Sequence, residues 1–229
     1  MKSLSLQTSS IAASMTVSID TLAKKLKAEG KDIVSLGAGE PDFKTPEIIR
    51  NAAKEAIEQG KTKYVAPTGL EEVRKAVVNK LQKENGLSYS ANQIVLTSGA
   101  KQAVFNSLAA LINPDDEIII PAPYWVTYPE LVKWFKGVPV FIETTPESAF
   151  KISPEQLKNA ITEKTKAVIL NNPCNPSGAV YSPKELKALS EVIVDNDLFC
   201  ISDEIYEHFC YETEFASIAS FPDMYERTI

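Results

Sequence analysis

The 229 residues hold one histidine, His208, and three cysteines, Cys174, Cys200 and Cys210, with no Cys-x-x-Cys pair. One imidazole and three scattered thiols make no ligand set for a transition metal, so none is expected. An odd number of thiols with no Cys-x-x-Cys fits a reducing cytoplasm better than a disulfide framework. Arginine is scarce: only Arg50, Arg74 and Arg227 occur, and the net charge is −6. That balance argues against nucleic acid or an anionic membrane as a partner. No apolar run approaches the roughly 20 residues of a membrane-spanning helix. The opening segment Met1–Gln7 lacks the apolar stretch of a signal peptide. Neither Gly-x-x-x-x-Gly-Lys nor Gly-x-Gly-x-x-Gly occurs, which removes the two common nucleotide-phosphate fingerprints. Finally, no lysine follows Lys187.

What is present is ordinary for a globular chain: 44% hydrophobic and 24% charged residues, enough to bury a sizeable core. Residues 1–15 are small and polar and read as an arm. Ile19, Leu22, Ala23 and Leu26 recur at helical spacing, with Gly30 as the stop. Asp32–Leu36 is a short strand candidate. Thr45-Pro46 opens a helix that Gly60 closes. Thr68-x-x-Glu71 reads as a capping box ahead of Leu70, Val73, Val77 and Leu81.

From residue 94 short apolar runs alternate with capped helices. Ile94–Thr97, Glu117–Ile120, Val138–Ile142, Ala167–Leu170 and Leu198–Ser202 read as strands. Ala100–Leu111 and Thr127–Phe135 read as helices. Two more open at Ser153-Pro154-Glu155-Gln156 and Ser182-Pro183-Lys184-Glu185. Arg227-Thr228-Ile229 reads as the beginning of a further strand. This alternation predicts an α/β fold, a mostly parallel sheet with helices on both faces. In such sheets ligands sit at the carboxyl ends of the strands, where the notable segments fall.

Each of those segments has two readings. In Thr97-Ser98-Gly99-Ala100-Lys101-Gln102 a strand gives way to a helix whose free N–H groups would suit a phosphate; the plain alternative is an ordinary strand-to-helix turn. Trp125, in Pro121–Pro129, would stack on a flat ring or fill a core. Asn175, between two prolines, would offer its amide to a phenolate oxygen or form an Asx turn. Asp203, at the end of a buried strand, is costly unless it meets a cation such as a pyridinium nitrogen, though it would also serve as a helix N-cap. Tyr206 would add a second bond to the same ring oxygen. Gly39 permits close backbone approach, and Lys63-Tyr64 reads equally as a solvated basic loop.

Taken in order, Gly39-Glu-Pro-Asp42, Lys63-Tyr64, Ser98-Gly-Ala-Lys101, Tyr124-Trp125, Asn172-Pro-Cys-Asn175-Pro-Ser-Gly178 and Asp203-Glu-Ile-Tyr206 form a set. The set resembles the class I, fold-type I pyridoxal-phosphate-dependent aminotransferases, in particular the bacterial aspartate aminotransferase branch. The resemblance implies an N-terminal arm and part of a small domain over 1–45, and a large cofactor-binding domain over 46–229. It implies that Gly99, Ala100 and Lys101 surround the cofactor phosphate and that Trp125 stacks on the pyridine. Asn175 and Tyr206 would bond the ring oxygen, and Asp203 the ring nitrogen. Gly39, Trp125 and Asn175 would lie against the substrate α-carboxylate. Lys101 would read a distal carboxylate, which favours aspartate or glutamate, with prephenate also accepted by related members. Tyr64 would reach the phosphate of a second subunit, implying a homodimer.

The same family holds its cofactor through a lysine Schiff base, and that lysine then carries a proton at the substrate Cα. No residue here corresponds to it, nor to the later arginine that clamps the α-carboxylate, so no catalytic residue is assigned. The expectation is that these residues are the N-terminal portion of a longer aminotransferase and that 1–229 alone does not turn over. Alternatives from other classes are a non-catalytic module that binds pyridoxal phosphate, a subunit borrowing its lysine from another chain, and a nucleotide-binding α/β domain. The missing fingerprints count against the last.

Overall fold

A computed structural model describes residues 5, 7, 8, 11, 12, 15–35, 37, 39 and 41–229, without the side chains of Met15 and Thr16. The described residues fall into two compact units, one within 13–70 and the other within 1–12 together with 71–229. The arm expected over 1–15 lies largely outside the described residues.

The 13–70 unit carries helix α1 (Met15–Ala28) and helix α2 (Glu47–Glu58). Both stop at glycines in the left-handed region, Gly30 at φ 82° and Gly60 at φ 68°, as the sequence predicts. Residues 32–35 form no strand, and Leu36 lies outside the described residues.

Helix α3 (Glu71–Asn85) opens the larger unit. It starts later than a Thr68 cap requires. Gly69, with φ 92°, is not helical, so Thr68 is not its N-cap. Next come α4 (Ala100–Leu111), β1 (Glu117–Pro121), α5 (Thr127–Trp134), β2 (Val138–Ile142), α6 (Pro154–Ala160), β3 (Thr165–Asn171), α7 (Pro183–Asp195) and β4 (Phe199–Asp203). Of the two capping boxes read from sequence, Thr68-x-x-Glu71 does not form and Ser182–Glu185 does, and the predicted helix start at Ser153 carries a box as well. Ser153 accepts the Gln156 N–H ahead of α6, and Ser182 accepts the Glu185 N–H ahead of α7.

All the ladders are parallel, in the order β2-β1-β3-β4. Alternate residues of β1, β3 and β4 enter different cores, as a sheet covered on both faces demands. Ile118, Ile120, Ala167, Ile169 and Ile201 pack with Val104 and Leu108 of α4 and with Tyr128 and Val132 of α5. Ile119, Val168, Leu170 and Cys200 pack on the other face with Leu157 of α6 and Leu186, Leu189 and Ile193 of α7. Two strand expectations turn out differently. Ile94–Thr97 is not a strand: Ile94 is extended (φ −106°, ψ 131°), but the segment joins no ladder among the described residues. Arg227–Ile229 forms only a single parallel bridge, Thr228 beside Cys200.

Candidate functional site

From β1 the chain moves outward to β2, then crosses to β3 on the other side of β1 and on to β4. The loops after β1 and β3 therefore diverge, and the crevice at a switch of this kind is where open α/β sheets bind ligands. β1, β3 and β4 end at Pro121, Asn171 and Asp203.

Asp203 is buried, and strand alternation puts it on the same face as Ile201, toward α4 and α5. Its Oδ2 accepts the Tyr128 hydroxyl at 2.6 Å, and its Oδ1 accepts the Ile205 N–H at 3.3 Å. Burial, and then the Asp203 charge and hydrogen bond, push the Tyr128 phenol far above its ordinary range, so Tyr128 stays a donor at any working pH. The last β3–β4 pair is Asn171 with Asp203. The Asp203 carbonyl accepts the Asn172 N–H at 3.0 Å and the Asn171 Nδ2–H at 2.8 Å. The Asn171 Oδ1 in turn accepts the Asn175 N–H at 2.6 Å. Around Asn175 the loop is pinned further: Tyr181 N–H donates to Asn172 Oδ1 at 2.9 Å, and Gly178 N–H to the Cys174 carbonyl at 2.8 Å.

The other wall comes from α4 and α5. The Trp125 ring stands edge-on to Tyr128, with centroids 5.4 Å apart. The Lys101 ammonium lies 5.1 Å from the Trp125 ring centre. Gly99, the N-cap of α4, has φ 78°, and a Cβ built there meets nothing within 4 Å. Open space thus adjoins the first-turn N–H groups that favour an anion. Gln102 reaches back to hold the Ser98 N–H at 2.6 Å.

Of the residues singled out from sequence, Lys101, Trp125, Asp203 and Asn175 are linked by these contacts. Gly99 and Ala100 open the same helix as Lys101. Tyr206, in the turn after β4 and partly exposed, is near enough to bear on the Tyr128 phenol. Gly39 and Tyr64 belong to the 13–70 unit, where Tyr64 is fully exposed. Two linking residues, Tyr128 and Asn171, were not assigned roles from sequence. Tyr128 sits at a helical position that reads as core, and Asn171 precedes the Asn-Pro pair that draws the eye.

One other grouping of ligand-type side chains occurs among the described residues: Glu84, Glu207 and His208. Both of its carboxylates already face a cation. The Lys80 ammonium pairs with Glu207, meets Asn85 Oδ1 at 2.8 Å and lies 3.8 Å from Glu84. Partial burial works against the Glu207 charge, but Lys80 and Asn85 outweigh it and hold the carboxyl below its usual range.

No helix among the described residues is long and apolar enough to cross a membrane. The family model for aminotransferase class I and II matches residues 31–228. An aspartate/prephenate aminotransferase of Thermus thermophilus is 47% identical over 214 residues, covering 93% of this chain and 56% of the relative. The Bacillus subtilis aspartate aminotransferase is 45% identical over 228 residues, covering 99% and 58%. Among solved structures, the aspartate aminotransferase from Thermus thermophilus with maleate superposes on the whole chain with a TM-score of 0.96 at 45% identity, 59% of that structure being covered. The chain thus spans just over half the length of the relatives it matches.

Proposed function

The chain belongs to the class I and II aminotransferase family, and from that premise we propose that it serves amino transfer between aspartate or glutamate and a 2-oxo acid, with pyridoxal phosphate as the cofactor. The observation that carries this reading is the run of contacts from Lys101 through Trp125, Tyr128, Asp203 and Asn171 to Asn175, at the topological switch point.

The chemistry of the donor set fits the cofactor. A buried carboxylate suits a protonated ring nitrogen, an indole face suits a flat ring, and the opening of α4 suits a phosphate. Asp203 would hold the proton on the ring nitrogen, with Tyr128 fixing the carboxylate through Oδ2. Asn175 and Tyr206 would bond the ring oxygen. Gly99, Ala100 and Lys101 would hold the phosphate, and Trp125 would cover one ring face. When bound, pyridoxal phosphate supplies an electron-withdrawing ring that loosens the proton at the substrate Cα. Gly39, Trp125 and Asn175 would receive the α-carboxylate. The Lys101 ammonium, beside Trp125, would attract a distal carboxylate; the names of the relatives support aspartate as donor and prephenate as one acceptor. In the assembled enzyme, 1–45 would form the arm and part of a small domain and 46–229 the large cofactor-binding domain. The compact units, dividing at residue 70, are a different partition. A homodimer, with Tyr64 turned to the other subunit's phosphate, is supported by the full exposure of that side chain. Three unpaired thiols support a cytoplasmic site.

The test is amino transfer by the protein supplied with pyridoxal phosphate, in the longest form its reading frame encodes. We expect aspartate to outrun phenylalanine as donor, and Lys101→Ala to raise the KM for aspartate more than that for alanine. Equal use of aspartate and phenylalanine would contradict the substrate reading.

A further inference from the structure

We infer that Asn171 is a positioning residue that gauges the spacing between the two groups meeting the cofactor ring, Asp203 and Asn175; this rests on the pyridoxal phosphate reading. A pyridine ring is rigid, so its nitrogen and its phenolate oxygen lie at a fixed separation. The protein must hold a carboxylate at the end of β4 and an amide in the loop after β3 at the matching separation. Backbone pairing between β3 and β4 ends at Asn171 and Asp203, so the ladder itself gives no control beyond that point.

Asn171 takes over there. Its Nδ2–H donates to the Asp203 carbonyl at 2.8 Å, filling the second lone pair of an oxygen that already accepts the Asn172 N–H at 3.0 Å. The peptide plane that follows Asp203 is thereby fixed from two sides. Its Oδ1 accepts the Asn175 N–H at 2.6 Å, which sets where the Asn175 backbone begins. One planar amide thus spans both contacts. A side chain at this position needs a donor and an acceptor on the same short, flat group, and only a primary amide offers both. Aspartate keeps the shape and the acceptor but loses the donor. Glutamine places the group one methylene farther out. A hydrophobic residue leaves the Asn175 N–H without its partner.

The experiment uses pyridoxamine 5′-phosphate, which has the ring nitrogen, phenolate and phosphate but no aldehyde to react with surface lysines. Its affinity is measured by calorimetry for the parent chain, Asn171→Ala and Asn171→Asp. The pH at which the bound ring nitrogen loses its proton is followed by absorption, a readout that a purely structural role does not move. Amide exchange at Asn175 is measured without ligand. We expect Asn171→Ala to bind about tenfold more weakly, to lose the ring proton at lower pH and to expose the Asn175 N–H to exchange. Asn171→Asp, isosteric and so the safer fold, should keep the Asn175 protection yet still bind more weakly than the parent, because it loses the donor to the Asp203 carbonyl. If both variants match the parent in affinity and ring titration, the inference is overturned while the cofactor reading stands. If the parent itself binds no pyridoxamine phosphate, the cofactor reading falls and the inference falls with it.

Discussion

Asp203 and Glu204 are neighbours in sequence with opposite surroundings. The Asp203 carboxylate is met by the Tyr128 hydroxyl and the Ile205 N–H. A hydrogen bond to a charged group contributes about 1.5–3 kcal/mol, so Tyr128→Phe, which keeps the ring and removes only the hydroxyl, should lower stability in urea by about that much. The same variant should weaken pyridoxamine phosphate binding. Unchanged stability and affinity together would show that the 2.6 Å contact is idle. Glu204 accepts Ser202 Oγ at 2.8 Å and Ser217 Oγ at 2.7 Å, beside a cavity of about 380 Å³. Burial raises its carboxyl above the usual value of 4.5, the Ser217 and Ser202 hydrogen bonds lower it, Glu207 raises it and Lys80 lowers it, with burial the largest effect. An acid raised in the folded state favours folding below its unfolded value, and that contribution is lost as pH rises through the folded value. Glu204→Gln should therefore flatten the fall in stability from about pH 4.5 toward neutrality, measured as urea midpoints across that range. Ile205 and Ser202 are partners from two positions away, but the Tyr128 and Ser217 contacts could not be read locally. Tyr128 precedes Asp203 by 75 positions, and only the doubly wound topology brings α5 against the end of β4.

The four strands of the sheet were legible within two residues, but only strand candidates, at 32–35 and 94–97, failed to form outright. A helix closes its hydrogen bonds within itself, so caps and periodicity nearly suffice. Ser153 and Ser182 predicted the starts of α6 and α7 correctly. A strand exists only with a partner, and Ile94–Thr97 shows the consequence: a β-rich composition in an extended segment without a ladder. Thr68 shows the limit of cap reading, since Gly69 with its positive φ lets the chain turn before α3 begins. The cap of α7 gives a clean measurement. Ser182 Oγ accepts the Glu185 N–H and donates to Glu185 Oε2 at 2.7 Å, while Glu185 Oε1 takes the Lys151 ammonium at 2.6 Å. Ser182→Ala should cost about 1 kcal/mol in urea denaturation. Combined with Lys151→Ala it should cost less than the sum, because both act through one carboxylate. A strictly additive pair would argue that the two contacts are independent.

At the scale of the molecule, two compact units divide the residues assigned to the site. Gly39 and Tyr64 lie in one, and the remaining assigned residues lie in the other. The linear order of motifs disclosed the family, while the spatial order of the larger unit explains why those motifs sit at strand ends. The 13–70 unit leaves Ile48, Ile49 and Ile57 of α2 exposed, an apolar surface of the kind that marks contacts between chains. With Tyr64 exposed in the same unit, light scattering of the proposed homodimer should give twice the 25.1 kDa chain mass; a monomer at all accessible concentrations would count against the homodimer. The role proposed for Asp203 is to meet a protonated pyridine nitrogen in a cradle built at the β1–β3 switch. Its most direct test is calorimetric titration of pyridoxamine phosphate into the parent chain and into Asp203→Asn, which keeps the shape and removes the charge. Saturable one-to-one binding is expected of the parent, with an affinity at least about tenfold lower for Asp203→Asn; binding that is absent from the parent, or equal in both proteins, rules that role out.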